Sequence, residues 1–282
     1  MTKETIAVGA VVMASFVGKT ADNLATMESY ILQAARESLD LVLFPELSLT
    51  GYTTKPEIQD AALSLEDEAV RRIVELAGET GVTVLAGMAE RADGRVYAAH
   101  FVARPSGAVG VYRKVHLSPP EKDLFTQGSD TPVFTAGSVR FGLQLCYDAH
   151  FPELSALYAI KGVDAVFMPH ASPNGAPEEK LTSWLRHLTA RAFDNSVFIV
   201  ASNLCGDNGM GLRFPGTALF ISPDGYVAAS LKTETGGMLV HRLRREELDA
   251  VRSHRMRYFL PNRRPDLYGD LSRSHHKKDH TL

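Results

Sequence analysis

The stretch VRFGLQLCYDAHFPELSALYAIKGVDAVFM, residues 139–168, decides how the chain folds. Its opening, Val139 to Leu145, is a short run of strand type, with Leu143 and Leu145 on one face and Gln144 and Cys146 on the other. Pro152 suits the first turn of a helix, where its missing N–H leaves no hydrogen bond unmade, and the helix runs to Ile160. Val163 to Met168 is apolar again and reads as a second strand. Strand, helix and strand in so short a span argue for an α/β fold with sheets buried beneath helices.

The same alternation extends in both directions. Towards the N-terminus, Ile6 to Ala14 reads as a strand and Asn23 to Ser38 as a helix with Leu24, Met27, Ile31, Ala34 and Ala35 on one face. Leu41 to Phe44 is a short strand covered on both sides. A helix over Leu65 to Glu79, ended by Gly81, precedes strands at Val82 to Met88 and Val96 to Ala103, joined by a turn at Ala92-Asp93-Gly94. Gly107 to Val115 is a further strand. Beyond residue 168 come a helix over Glu178 to Phe193, a strand over Val197 to Ser202, and three segments that read as a meander: Thr217 to Ser222, Tyr226 to Ser230 and Met238 to His241. A short helix starts at Arg245, and from Leu260 the chain is polar and irregular, frayed or laid against another surface. No solenoid repeat or low-complexity linker interrupts the sequence, so one domain over residues 1–282, with about 260–282 as a C-terminal extension, is the simplest organisation.

Composition narrows the function. Of 282 residues 45% are hydrophobic and 22% charged, ordinary for a globular protein, and a net charge of −3 leaves no footprint for nucleic acid. The basic clusters at Arg242, Arg244 and Arg245 and near Lys277 are short enough to be solvated surface. Two cysteines, Cys146 and Cys205, are too few for a disulfide framework and fit a reducing compartment. The apolar run from Ile6 to Val17 lacks a positive flank, since Glu4 offsets Lys3, and it is too short to span a bilayer. A cytoplasmic protein without a membrane partner is expected.

Three residues stand where chemistry is feasible. Cys146 ends a strand just before a helix, where a thiol can sit exposed beside free backbone N–H groups that stabilise a thiolate and an oxyanion; taken alone, it is equally a small core residue. Glu46 closes Leu41-Val42-Leu43-Phe44-Pro45, so it is either a solvated strand end or a pocketed carboxylate with a raised pKa. Lys114 shares a strand face with Tyr112 and His116, as a catalytic cation or as an edge-strand charge.

Taken in order, these segments carry more. Phe44-Pro45-Glu46 with Gly51-Tyr52, then Tyr112-Arg113-Lys114 with His116-Leu117, then Leu145-Cys146-Tyr147-Asp148 with Phe151-Pro152-Glu153, resemble the nitrilase superfamily of carbon–nitrogen hydrolases. The likeness continues through Arg191-Ala192, Asn195 and Asn203, Ser222-Pro223-Asp224-Gly225 and Arg264-Pro265-Asp266-Leu267-Tyr268, nearly the whole chain. It implies an α-β-β-α sandwich that assembles as a homodimer or larger homo-oligomer, and a cysteine hydrolase of the amidase-like branch that needs no cofactor and no metal. Glu46 is then the general base, Lys114 the oxyanion support and Cys146 the nucleophile. Glu121 is the matching second glutamate, by its distance from Gly128.

The resemblance also frames the substrate, a small amide or N-carbamoyl compound. True nitrilases typically follow the cysteine with Trp-Glu, so Tyr147-Asp148 points to amides. Many members carry arginine where His150 stands, and in some N-carbamoyl amino-acid hydrolases that arginine grips a carboxylate; His150 therefore suggests a substrate neutral at that end. Tyr147, through its N–H, and His150 and His170 are the candidate substrate contacts. Gly206 to Gly211 lacks dinucleotide-binding spacing and reads as a flexible rim loop. The histidines 275, 276 and 280 read as a solvated tail. Two other functions share these features: a catalytically silent binding protein of the same shape, and the ammonia-supplying subunit of a glutamine-dependent synthetase.

Overall fold

The computed structural model of the protein describes residues 4–272; the His-rich tail lies outside the described residues. Six helices occur among them: α1 (Thr20–Arg36), α2 (Glu57–Asp60), α3 (Glu68–Thr80), α4 (Pro152–Ile160), α5 (Pro177–Asn195) and α6 (Arg245–Arg252). The strands are β1 (Thr5–Val12), β2 (Leu41–Leu43), β3 (Thr83–Ala92), β4 (Arg95–Ala103), β5 (Val109–Arg113), β6 (Phe134–Ala136), β7 (Val139–Leu143), β8 (Ala165–His170), β9 (Phe198–Asn203), β10 (Gly206–Asp207), β11 (Arg213–Phe214), β12 (Gly216–Ile221), β13 (Val227–Thr233) and β14 (Gly237–Arg244). Two six-stranded sheets result, in the orders β14-β1-β2-β3-β4-β5 and β13-β12-β9-β8-β7-β6.

Period-two alternation builds the layers. Ile6, Val8, Ala10 and Val12 of β1 meet Phe141, Leu143, Phe167 and Val200 in the core between the sheets. The alternate residues Ala7 and Val11 turn outward to Met27 and Ile31 of α1 and Ile73 and Leu76 of α3. On the far side Val166, Met168 and Ile199 pack against Tyr158 of α4 and Trp184 and Leu188 of α5. The result is the expected α-β-β-α sandwich.

Local signals that the sequence displayed are used as such. Asp67 caps α3 by accepting from the N–H of Ala69, and Gly81 closes the helix in the left-handed conformation. Asp93 and Gly94, with φ of 50° and 72°, form the two-residue hairpin between β3 and β4.

Five expectations are corrected. The segment read as the third strand of a meander is β14, and it leaves β12 and β13 to pair antiparallel with β1 in the opposite sheet, from Thr5 opposite Arg244 to Val12 opposite Gly237. Alternation fixes which face a residue turns and is silent on which strand it joins. Lys114 is not mid-strand: β5 ends at Arg113, which spans Glu90 with two bonds of 2.6 and 2.7 Å while Lys114 turns inward. Arg245 is no free surface charge. It and Arg252 each reach Asp164 Oδ1 at 2.9 Å, tying α6 to the start of β8. The 206–211 loop is held by Asn208, whose side chain donates to the Tyr52 carbonyl and accepts from the N–H of Met210 and of Leu212. The segment from Leu260 winds into three short 3₁₀ turns.

Candidate active site

The chain segments that leave β2, β5, β7 and β8 meet at one place. After β2 the chain turns sharply at Pro45 and Glu46, with Leu47 at φ 52°. Gly87 of β3 permits this: a Cβ there would lie 2.4 Å from the Leu47 nitrogen and 2.9 Å from the Pro45 oxygen. The turn therefore lies flush on the sheet and drives Glu46 into the interior.

Lys114 follows β5, and its ammonium bridges two carboxylates. Nζ donates to Glu46 Oε1 at 2.7 Å and to Glu121 Oε1 at 2.8 Å, with exposures of 1%, 0% and 1% for the three residues. Every other carboxylate oxygen is also occupied. Glu46 Oε2 accepts from the Ala171 N–H at 3.0 Å, just beyond β8. Glu121 Oε1 also takes the Tyr52 hydroxyl at 3.1 Å, and its Oε2 takes the Ser118 N–H at 2.7 Å. Charges this deeply buried persist only when paired and hydrogen-bonded, and these are.

Cys146 stands beside this cluster as a free thiol, half-buried, at φ 43°. A β-carbon in the left-handed region is strained, and such strain is retained where the surrounding structure over-determines it. Asp148 supplies that restraint. Its Oδ2 accepts from the Leu145 N–H at 3.0 Å and from the Tyr112 hydroxyl at 2.7 Å. Its Oδ1 accepts the His116 N–H at 2.9 Å and lies 2.9 Å from His116 Nδ1. One buried carboxylate thus clamps the cysteine turn to the residues on either side of Lys114.

The electrostatics follow from this geometry. Burial pushes Glu46 up, Glu121 adds to this, and Lys114 opposes both, leaving it at about 7. Burial also pushes Glu121 up, but Lys114 and the bonds from Ser118 outweigh it and carry that carboxyl below its usual range. Burial would lower Lys114, yet the two carboxylates hold it well above the ordinary lysine value. The Cys146 thiol is raised, by burial first and Glu46 second. It rests protonated, next to a carboxylate able to take its proton near neutrality.

The remaining predicted contacts lie around this centre. Tyr147 is half-buried, its ring 5.7 Å from that of His150. His150 is exposed and stacks on His187 at 4.6 Å. His170 is buried, packed 4.3 Å from Trp184, with Nδ1 against the Met168 carbonyl at 2.7 Å. A carbonyl only accepts, so that nitrogen carries the proton. Sequence reasoning missed Tyr52, Ala171 and Asp148 as parts of the site. Ser118 followed three residues later by Glu121 was a legible signal, the pattern of a capping box.

A sandwich of this topology with these residues at its strand ends defines a hydrolase class, and the family model for Carbon-nitrogen hydrolase matches residues 7–253; the chain belongs to that family, in the nitrilase superfamily. Among its relatives is a probable nitrilase of Schizosaccharomyces pombe, 31% identical over 273 residues, covering 94% of this chain and 97% of that one. An (R)-stereoselective amidase of Pseudomonas sp. is 30% identical, covering 90% and 89%. Among solved structures, an amidase from Nesterenkonia sp. superposes with a TM-score of 0.82 at 25% identity, covering 95% of this chain and 97% of that one.

Proposed function

We propose that the protein hydrolyses the C–N bond of a small amide or N-carbamoyl compound through a thioester on Cys146. The observation that carries this reading is the Lys114 ammonium held between two buried carboxylates beside a free thiol. As Sγ attacks the carbonyl carbon, its proton passes to Glu46, and the oxygen gains negative charge within reach of Lys114 and the Tyr147 N–H. Donors aimed at such an oxygen are each worth roughly 10²–10³ in rate. Collapse breaks the C–N bond, and the leaving nitrogen takes the proton from Glu46. Water then gives a proton to Glu46 and attacks the thioester, and the acid departs as Sγ regains its hydrogen. Glu121 keeps Lys114 charged and aimed.

Amides are favoured over nitriles because Tyr147-Asp148 follows the cysteine, and because a cysteine-to-alanine mutant of the Nesterenkonia amidase is described in complex with butyramide. No described helix is long and apolar enough to cross a membrane, and a free, reactive thiol suits a reducing cytoplasm. Self-association is part of the proposal, since Leu157, Ile160, Phe259 and Leu271 leave apolar surface exposed. The test is ammonia release across simple amides, N-carbamoyl compounds and nitriles with wild type and Cys146→Ala. Cys146-dependent release from amides or N-carbamoyl compounds supports the reading; release that survives Cys146→Ala, or no release from either class, refutes it.

A further inference from the structure

Helix α5 turns one stripe towards the cysteine turn. Lys180, Trp184, His187 and Arg191 recur at helical spacing, and each touches the site's surroundings. Arg191 donates to the carbonyls of Ala149 and His150 at 3.1 and 3.3 Å, Trp184 lies on His170, and His187 lies on His150. Lys180 is the member of this stripe with a charge left to use. Its Nζ donates to Ser172 Oγ at 2.7 Å and to the Pro173 carbonyl at 3.1 Å, directly after the Ala171 amide that holds Glu46. An ammonium has three donors, and both of these partners are neutral.

Among the described residues no carboxylate forms an ion pair with Lys180. The two acids beside it in the helix are occupied elsewhere: Glu178 pairs with Lys232, and Glu179 accepts from the Ala176 N–H. The acidic group that Lys180 does sense is the Cys146 thiol, which is neutral at rest and would carry charge only on ionising, and half-burial makes the charge of Lys180 itself costly. The neighbouring rings do not compete for an anion, because burial lowers His170, His187 and His150 below the ordinary histidine value. A half-buried cation without a counter-charge, tied to the residues that follow the Ala171 amide and close enough to Cys146 to sense its charge on ionising, fits a ligand that brings the missing charge.

We propose that Lys180 binds a carboxylate of the substrate, so that the preferred substrates are amides or N-carbamoyl compounds bearing an anionic group away from the scissile bond. This rests on Cys146 being the nucleophile. It also moves the reading of substrate charge from His150, whose exposed ring stacks on His187, to α5.

The test compares kcat/KM for glutaramate and for its neutral diamide, glutaramide, in wild type, Lys180→Met and Lys180→Arg. Wild type should prefer glutaramate, and Lys180→Met should reduce that preference at least about tenfold, mainly through KM, with Lys180→Arg retaining most of it. A wild type indifferent to the charge, or a Lys180→Met loss equal on both substrates, overturns the proposal and leaves Lys180 as a latch for residues 172–173. A second arm needs no turnover: glutarate should slow alkylation of Cys146 by iodoacetamide in wild type and not in Lys180→Met. Protection without amide turnover would refute the hydrolase reading and keep the anion site; turnover without protection or charge preference would do the reverse.

Discussion

Replacing Lys114 by methionine removes the cation and keeps most of the volume, so the consequences are electrostatic. Glu46 and Glu121 would then face each other with exposures of 0% and 1% and no positive partner. Breaking a buried ion pair from one side costs about 3–5 kcal/mol, because the remaining charge stays buried. For a chain of this length that is a drop in Tm of roughly 5–8 °C at pH 8. The sign of its pH dependence is fixed. Glu46 is already at about 7 with the lysine present and rises further without it, while Glu121, now held below its usual range mainly by that lysine, is left to the upward push of burial. The folded variant then binds more protons than the unfolded chain, so its stability increases as pH falls through the window between the unfolded carboxylate range and those raised values. Thermal melts of wild type and Lys114→Met at pH 5 and pH 8 should show the deficit shrinking at pH 5. Lys114→Met/Glu121→Gln should recover part of the lost stability, since one of the opposed charges is gone, without recovering turnover. A deficit independent of pH, or turnover within tenfold of wild type, would refute the account of Lys114 as a shared counter-ion.

Glu46→Gln should lower kcat/KM by about 10²–10⁴; in wild type the rate should be lost as pH falls through about 7 with Glu46 taking up its proton, and the variant's residual rate should lack that limb. Tyr112→Phe deprives the Asp148 carboxylate of one of its donors and should cost about 1–3 kcal/mol in chemical denaturation, with a measurable fall in kcat through the cysteine turn. Asp67→Ala removes the cap of α3, far from the chemistry, and should cost about 0.5–2 kcal/mol in the same assay with kcat unchanged.

What was legible in the sequence was what depends on near neighbours. The helix over α3 announced itself through its apolar spacing and Gly81, and the hairpin through Asp93-Gly94. Glu46, Lys114 and Cys146 were legible as an ordered set through the motifs around them, which resemble those of the carbon–nitrogen hydrolases, and the structure buries Glu46, Lys114 and Glu121 together with Cys146 beside them. What escaped depends on partners remote in the chain. Asp148 looks like any polar residue in a turn until Tyr112 and His116 are brought against it from 36 and 32 positions away. The Ala171 amide has no side chain to advertise its bond to Glu46, 125 positions upstream. The strand β6 was too short to carry a period of its own, and Cys146 gave no sign of its left-handed backbone because that conformation is imposed by its surroundings.

The exchange of β14 between sheets bears on how the protein is made. During synthesis β1 leaves the ribosome well before the neighbour that covers its outer edge, which is finished only at Arg244. Until then the first sheet carries an open row of backbone donors and acceptors along an apolar strand, the kind of edge that recruits other chains. The N-terminal half is thus not a safe resting point. Any nonsense or frameshift lesion upstream of residue 237 yields a chain that cannot seal its first strand, whatever else it has folded correctly, and the quality-control machinery of the cell should treat it as aggregation-prone.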